Sequence, residues 1–196
     1  MREAVEIVTR LQAGDRSGFS GDFFTLAQGA GLEYAPLRPR IPLMIGTWKP
    51  GLARLAGEVA DEVKIGGSAN PDMVTLMREW IGNDSVGIVV GAVTVVDEDG
   101  DAARRRAAAE VRMYLDVVGE LDPTIGDAAP PLDKFVIAGT PEEVAAHAER
   151  LFAAGVKRIE FGTPQGLTTP GGVDLLCDRV LPLLRGVPSA VAPVAS

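Results

Sequence analysis

The sequence predicts an α/β fold with a largely parallel sheet. From residue 41 onward, short apolar runs alternate with amphipathic stretches, so strand and helix periods take turns along the chain. The strand candidates read as continuous apolar runs, Val86 to Val96 above all, which is the pattern of strands covered on both faces. Turn and cap chemistry falls at the joints between them: Pro71 follows Gly67-Ser68-Ala69-Asn70, and Thr140-Pro141-Glu142-Glu143 spells a capping box with proline at the first helical position.

Taken in order, Met1 to Ala13 is a helix with Ala4, Ile7, Val8 and Leu11 on one face and Gly14 as its stop. Ser20-Gly21-Asp22, between Phe19 and Phe23, predicts a small β-hairpin. Residues 29–40, rich in Gly, Pro and Arg, form a loop. Ile41 to Thr47 is a strand and Pro50 to Ala60 a helix. Val63 to Gly66 and a helix from Pro71 to Trp80 make the next unit. Val86 to Val96 is a long strand, followed by a helix from about Gly100 to Val118. Gly119 to Pro131 is a long proline-containing loop, either a lid or a tolerated insertion. A helix from Thr140 to Ala154 and a strand from Arg158 to Phe161 complete about four βα units. A last helix spans Val173 to Leu184. Residues 1–186 are expected to form one domain, with 187–196 as a frayed tail.

Composition narrows the function classes. Hydrophobic residues make up 46% and charged residues 23%, the profile of a soluble globular protein. No apolar run approaches the roughly 20 residues that span a bilayer, and Met1-Arg2-Glu3 does not begin a secretory signal. The net charge of -8 argues against nucleic acid and anionic membrane as partners. One cysteine excludes an internal disulfide and fits a cytoplasmic setting. With one histidine and one cysteine, a structural zinc site has no ligand set.

The clearest candidate site is the turn Gly46-Thr47-Trp48-Lys49 before Pro50. Free N–H groups at a helix start, a hydroxyl and a lone cation suit an anion, although a plain strand–helix turn with an exposed lysine has the same sequence. Gly66-Gly67-Ser68 and Gly162-Thr163-Pro164-Gln165-Gly166 follow strands and either admit a ligand to the backbone or simply turn the chain. Asp97-Glu98-Asp99-Gly100-Asp101 fails the calcium-loop pattern, with Ala102 and Ala108 where Gly and Glu are required. It reads instead as an acidic helix start with Arg104, Arg105 and Arg106 inside the helix. His147 falls mid-helix and reads as structural, and Cys177, beside Leu175 and Leu176, as packed.

Several segments in order carry a resemblance: REAVEIVTRL, GFSGDFFTL, RPRIPLMIGTWKPGLARLAGEVADEVKIGG, VGAVTVVDEDGDAARRRAAAEVRMYL and AGTPEEVAAHAERLFAAGVKRIEFGTP. Together they resemble the second half of luciferase-like monooxygenases, nearest to the deazaflavin-dependent, methylenetetrahydromethanopterin reductase-like branch. That family folds as a (β/α)8 barrel and binds FMN or a deazaflavin at the C-terminal strand ends, for hydride transfer or oxygen activation. The resemblance makes this chain a partial TIM barrel holding strands 5 to 8, with a leading helix and a small hairpin. Strands 1 to 4 would precede Met1. It carries a cofactor-phosphate role onto Gly46, Thr47, Trp48, Lys49 and Leu52, through Pro50 and Ala56-Gly57. Gly66 and Gly67, after the next strand at the end where barrel sites form, are further candidate cofactor contacts. Trp48 and Lys49 stand where the family usually has small residues.

The cofactor implied is coenzyme F420, with FMN as the alternative, and no catalytic residue is named. An open half barrel would expose apolar edges and one sheet face. Completion by a homodimer or by an N-terminal half is therefore expected, unless the chain is a piece of a longer enzyme. The rival reading is a non-catalytic, self-associating half barrel that binds a phosphorylated ligand or none.

Overall fold

A computed structural model describes residues 1–38, 40–126, 129–162 and 171–186. Gln165, Gly166 and the predicted tail 187–196 lie outside the described residues, as do Thr163 and Pro164. Contacts cluster into two compact units, Met1–Leu43 and Met44–Ser196.

The first unit holds α1 (Arg2–Gln12) and a hairpin of β1 (Phe19–Ser20) and β2 (Thr25–Leu26). The hairpin register pairs Phe19 with Leu26 and Ser20 with Thr25. Phe23 lies on the turn, 85% exposed, rather than in the second strand. The reason is Glu3: its carboxylate accepts the N–H groups of Asp22, Phe23 and Phe24 at 2.9, 3.0 and 2.9 Å, which holds these residues as a turn.

The second unit is a parallel sheet of β3 (Met44–Gly46), β4 (Glu62–Gly66), β5 (Gly87–Val96), β6 (Val136–Gly139) and β7 (Val156–Phe161). Helices α2 (Pro50–Val59), α3 (Pro71–Ile81), α4 (Gly100–Val111), α5 (Leu115–Leu121) and α6 (Pro141–Ala153) connect the strands. After β7, α7 (Gly172–Leu175) runs through a π-helical turn (Leu176–Val180) into α8 (Leu181–Leu184). The predicted α/β class with about four βα units stands, and the barrel is not closed.

β5 is the hub of the sheet. Gly87 to Gly91 pair with β4, Ile88 to Ala92 with β7, and Val93 to Val96 with β6. β5 therefore runs on past the end of β4, and its far half packs with β6 and α4. There Val93, Val95, Ala103, Ala107, Val111 and Val136 form a buried cluster. β6 was not predicted. Its four residues, set within a long connection, give too short a run to separate from a loop. The predicted helix over 100–118 breaks at residues 112–114, and this lets Tyr114 and Leu115 pack against the same cluster.

Two further expectations are corrected. β5 is buried throughout, but β4 and β7 are not continuous apolar strands: Glu62, Lys64, Arg158 and Glu160 alternate with Val63, Ile65 and Ile159. Cys177 is exposed. The buried stripe on the last helical run is Gly172, Leu176 and Val180, one position in four, and Cys177 lies off it.

Candidate functional site at the strand ends

β3 ends at Gly46, and the chain turns into α2 through Thr47, Trp48 and Lys49. The Thr47 N–H donates to the Lys64 carbonyl at 3.0 Å, which fixes the turn to β4. The Thr47 hydroxyl accepts the Lys49 N–H at 3.0 Å, so it is used in shaping the turn. Lys49 is the N-cap residue of α2 in extended conformation, and no side chain caps the helix. Pro50 has no N–H, and the first bond back to the cap is Ala53 N–H to the Lys49 carbonyl at 3.1 Å. The Gly51 and Leu52 N–H groups thus lie in the open first turn, at the positive end of the helix dipole.

The lysines divide. Lys64, Lys134 and Lys157 each pair with a carboxylate. Lys49 forms no ion pair among the described residues. A cation without a partner beside uncapped N–H groups suits an anionic group of a ligand.

Trp48 joins this turn to the next strand end. Its indole Nε1–H donates to the Gly66 carbonyl at 3.0 Å, which ties Gly46–Lys49 to Gly66–Gly67. The Gly67 N–H donates to the Gly91 carbonyl at 2.6 Å. Gly67 has φ +81°, a conformation that glycine adopts without strain. A Cβ on Gly46 would meet only the Lys64 carbonyl, at 4.0 Å, and one on Gly66 would meet nothing within 4 Å. Space is therefore left at both strand ends. The seven residues predicted to contact a cofactor fall along one rim, from the β3 turn to the end of β4.

Behind that rim, a buried polar network holds the loop after β4. Asn70 is fully buried and is the N-cap of α3, accepting the Asp72 N–H at 3.0 Å. The same oxygen accepts from Lys134 Nζ at 2.8 Å, and Nδ2 donates to Asp122 and to the Thr124 hydroxyl at 2.8 Å each. Asp122 is 2% exposed, and its other oxygen accepts the Thr124 N–H at 3.0 Å and hydroxyl at 2.7 Å. The segment read as a lid or an insertion is thus pinned to the β4 loop at residues 122–124.

His147 supports the same loop from α6. Its Nε2 lies 2.8 Å from the Ala69 carbonyl. A carbonyl only accepts, so Nε2 carries the proton. Burial holds the ring pKa below its ordinary value and outweighs the hydrogen bond to Ala69, which favours the charged form. The histidine is structural, as its mid-helix position predicted.

The sheet face bearing Ile45, Val63, Ile65, Ile88 and Val90 is buried. The opposite face carries a charge network that sequence reading missed. Arg158 bridges Glu62 and Glu160 at 2.8 Å each, Lys157 reaches Glu62 at 3.2 Å, and Lys64 pairs with Glu160. The register shift between Ile88 and Val89 leaves Lys157 as the bulged residue, so Lys157 and Arg158 both reach Glu62. Burial alone would raise the Glu62 pKa, but Arg158 and Lys157 hold it below the ordinary glutamate value. Lys64, followed by Arg158, does the same for Glu160. The signal was present as Glu-x-Lys and Arg-x-Glu at strand period. Inward charges also remove much of the expected cost of an open apolar face.

The acidic run after β5 is structural. Asp99 caps α4, accepting the Asp101 and Ala102 N–H groups at 3.0 Å each, and Arg104 pairs with Asp101 and Glu143 at 2.7 and 2.9 Å. The acidic run is thus a capped, charge-paired helix start. Gly162 is anchored by its N–H to the Thr94 hydroxyl at 3.0 Å.

Comparison with known proteins gives this rim a context. The family profile described as luciferase-like monooxygenase matches residues 1–158. The 5,10-methylenetetrahydromethanopterin reductase of Archaeoglobus fulgidus is 27% identical over 94% of this chain and 66% of its own length. Among solved structures, the coenzyme F420-dependent tetrahydromethanopterin reductase of Methanopyrus kandleri superposes with a TM-score of 0.77. It is 22% identical, over 92% of this chain and 62% of that one. A monooxygenase from Streptomyces bottropensis gives a TM-score of 0.70 at 21% identity, over 92% of this chain and 60% of that one. The chain spans somewhat less than two thirds of these relatives. With the profile covering most of the sequence and the fold superposing on these structures, the chain belongs to the luciferase-like monooxygenase family.

Proposed function

We propose that this chain forms the cofactor-phosphate side of a luciferase-like oxidoreductase. It works with a flavin-type cofactor: coenzyme F420 first, as in the related reductase structure, and FMN as the alternative. The phosphate sits at Gly46, Thr47, Trp48 and Lys49 and the first turn of α2 at Leu52, with Gly66 and Gly67 along the ring side. The observation that carries this reading is Lys49: a lysine without a carboxylate partner among the described residues, at the uncapped start of a helix that follows a strand end. The cofactor supplies hydride or oxygen chemistry when bound. The chain's own residues hold its anion and shape the rim.

The protein is expected to act in the cytoplasm, and among the described residues no helix is long and apolar enough to cross a membrane. Association with a second copy or an N-terminal half would run through the open edges β3 and β7, since the opposite sheet face is charged.

The test is hydrogen exchange with and without F420 or FMN. Slowed exchange is expected at the amides of Gly51 and Leu52 and at Gly66–Gly67. Binding that leaves all of these amides unprotected would remove the assignment.

A further inference from the structure

Next to the proposed phosphate turn is a second polar feature that a phosphate would use only in part. Gly66 and Gly91 are register partners on β4 and β5, and Glu160 is the partner of Gly91 on β7. Lys64 precedes Gly66 by two residues and so shares its face. A Cβ on Gly91 would lie 3.4 Å from both Lys64 Cε and Glu160 Oε2, so the head groups of this pair lean over Gly91. A Cβ on Gly66 would meet nothing within 4 Å. Gly66 thus leaves open space beside the Lys64–Glu160 pair, and its carbonyl is held by the Trp48 indole at 3.0 Å.

The chemistry of that pair is specific. Lys64 donates one hydrogen to Glu160 and keeps two more. Glu160 is held by Lys64 through one oxygen and by Arg158 through the other, so it stays an acceptor at neutral pH. Side chains of Lys64 and Glu160 are 33% and 30% exposed, within reach of a ligand. An ionised phosphate could accept from Lys64 but has nothing to donate to Glu160, and a purely apolar ligand would leave both charges without new partners. A flat ring whose edge carries a carbonyl next to an N–H satisfies both.

Resting on the flavin-type reading, we propose that Lys64 and Glu160 recognise the imide edge of the cofactor ring. Lys64 donates to the ring carbonyl and Glu160 accepts from the imide N–H. The ring edge occupies the open space over Gly66. Lys49 and this pair then read opposite ends of one ligand.

The experiment is equilibrium binding, followed by cofactor fluorescence, of FMN and the corresponding deazaflavin phosphate. Each is compared with its analogue methylated at the imide nitrogen. Wild type is expected to bind the methylated analogue about tenfold more weakly, as is typical for loss of one charge-assisted hydrogen bond. Lys64→Met should weaken the parent ligand by a similar factor. Gly66→Val adds bulk where there is open space and at no positive φ, so it should melt as wild type yet bind at least about tenfold more weakly. Equal affinity for parent and methylated ligand, or wild-type binding by a folded Gly66→Val variant, would overturn the proposal. If Lys49→Ala still weakens binding in that case, the phosphate assignment survives alone. Binding of neither parent cofactor overturns both.

Discussion

Asn70→Ala is expected to lower stability by about 3 kcal/mol. Two losses combine. The N-cap of α3 disappears, which costs about 1 kcal/mol. Asp122, 2% exposed, also loses its donor from Asn70, and a buried carboxylate short of partners costs about 1–3 kcal/mol. Asn70→Asp separates the two terms. It keeps a capping oxygen but sets a second carboxylate against Asp122, so it should remain strongly destabilised. Urea unfolding monitored by tryptophan fluorescence provides the measurement. A loss below about 1 kcal/mol in Asn70→Ala would show that the network does not hold the β4 loop.

The second large effect is at Gly57, where helix propensity and packing predict opposite signs. In an exposed helix interior, glycine to alanine would stabilise by about 1 kcal/mol. Here a Cβ on Gly57 would run into the Ile81 backbone carbonyl, well inside van der Waals contact. The Gly57 carbonyl also accepts from Asn83 Nδ2 at 2.7 Å, which fixes the two helices at this approach. Backbone cannot move aside as a side chain can, and overpacking typically costs about 1–3 kcal/mol. Gly57→Ala is therefore expected to lower the melting temperature, with Gly57→Val lower still. An alanine variant that melts higher than wild type would show that α2 and α3 are not packed this closely. The glycine that supported the family resemblance is, in this structure, a helix-packing position.

Much of the fold was legible because local signals agreed. Pro71 after Asn70 and the Thr140–Glu143 box mark helix starts, and the structure shows both caps. β5 was legible because Gly87 to Val96 is a nearly unbroken apolar run, mostly Val and Ile, which suits a strand covered on both faces, and all ten of its residues are buried. The misses share a cause. β6 is four residues long, and its reason to be a strand is the exposed edge of β5 beyond Ala92, a non-local fact. The Lys64–Glu160 and Arg158–Glu62 pairs join residues almost a hundred positions apart, so only the register could bring them together.

At the candidate site, the turn from Gly46 to Lys49 could be read from residue types alone. What the sequence could not show is that Trp48 ties that turn to Gly66, or that Lys49 has no carboxylate partner among the described residues while the other lysines do. Nor did it show that Asp122 and Thr124 pin the long loop to Asn70. Cys177 was misread because adjacent leucines suggested a buried stretch, whereas burial on that helix follows every fourth residue.

The most direct test of a cofactor site at the β3 turn is a fluorescence titration of F420 and of FMN with the purified chain, repeated with Lys49→Ala. Saturable binding of at least one cofactor is expected, weakened about tenfold in the variant, as for one lost charge-assisted contact. Absence of binding by either cofactor at high micromolar concentration, or equal affinity in wild type and Lys49→Ala, would contradict it.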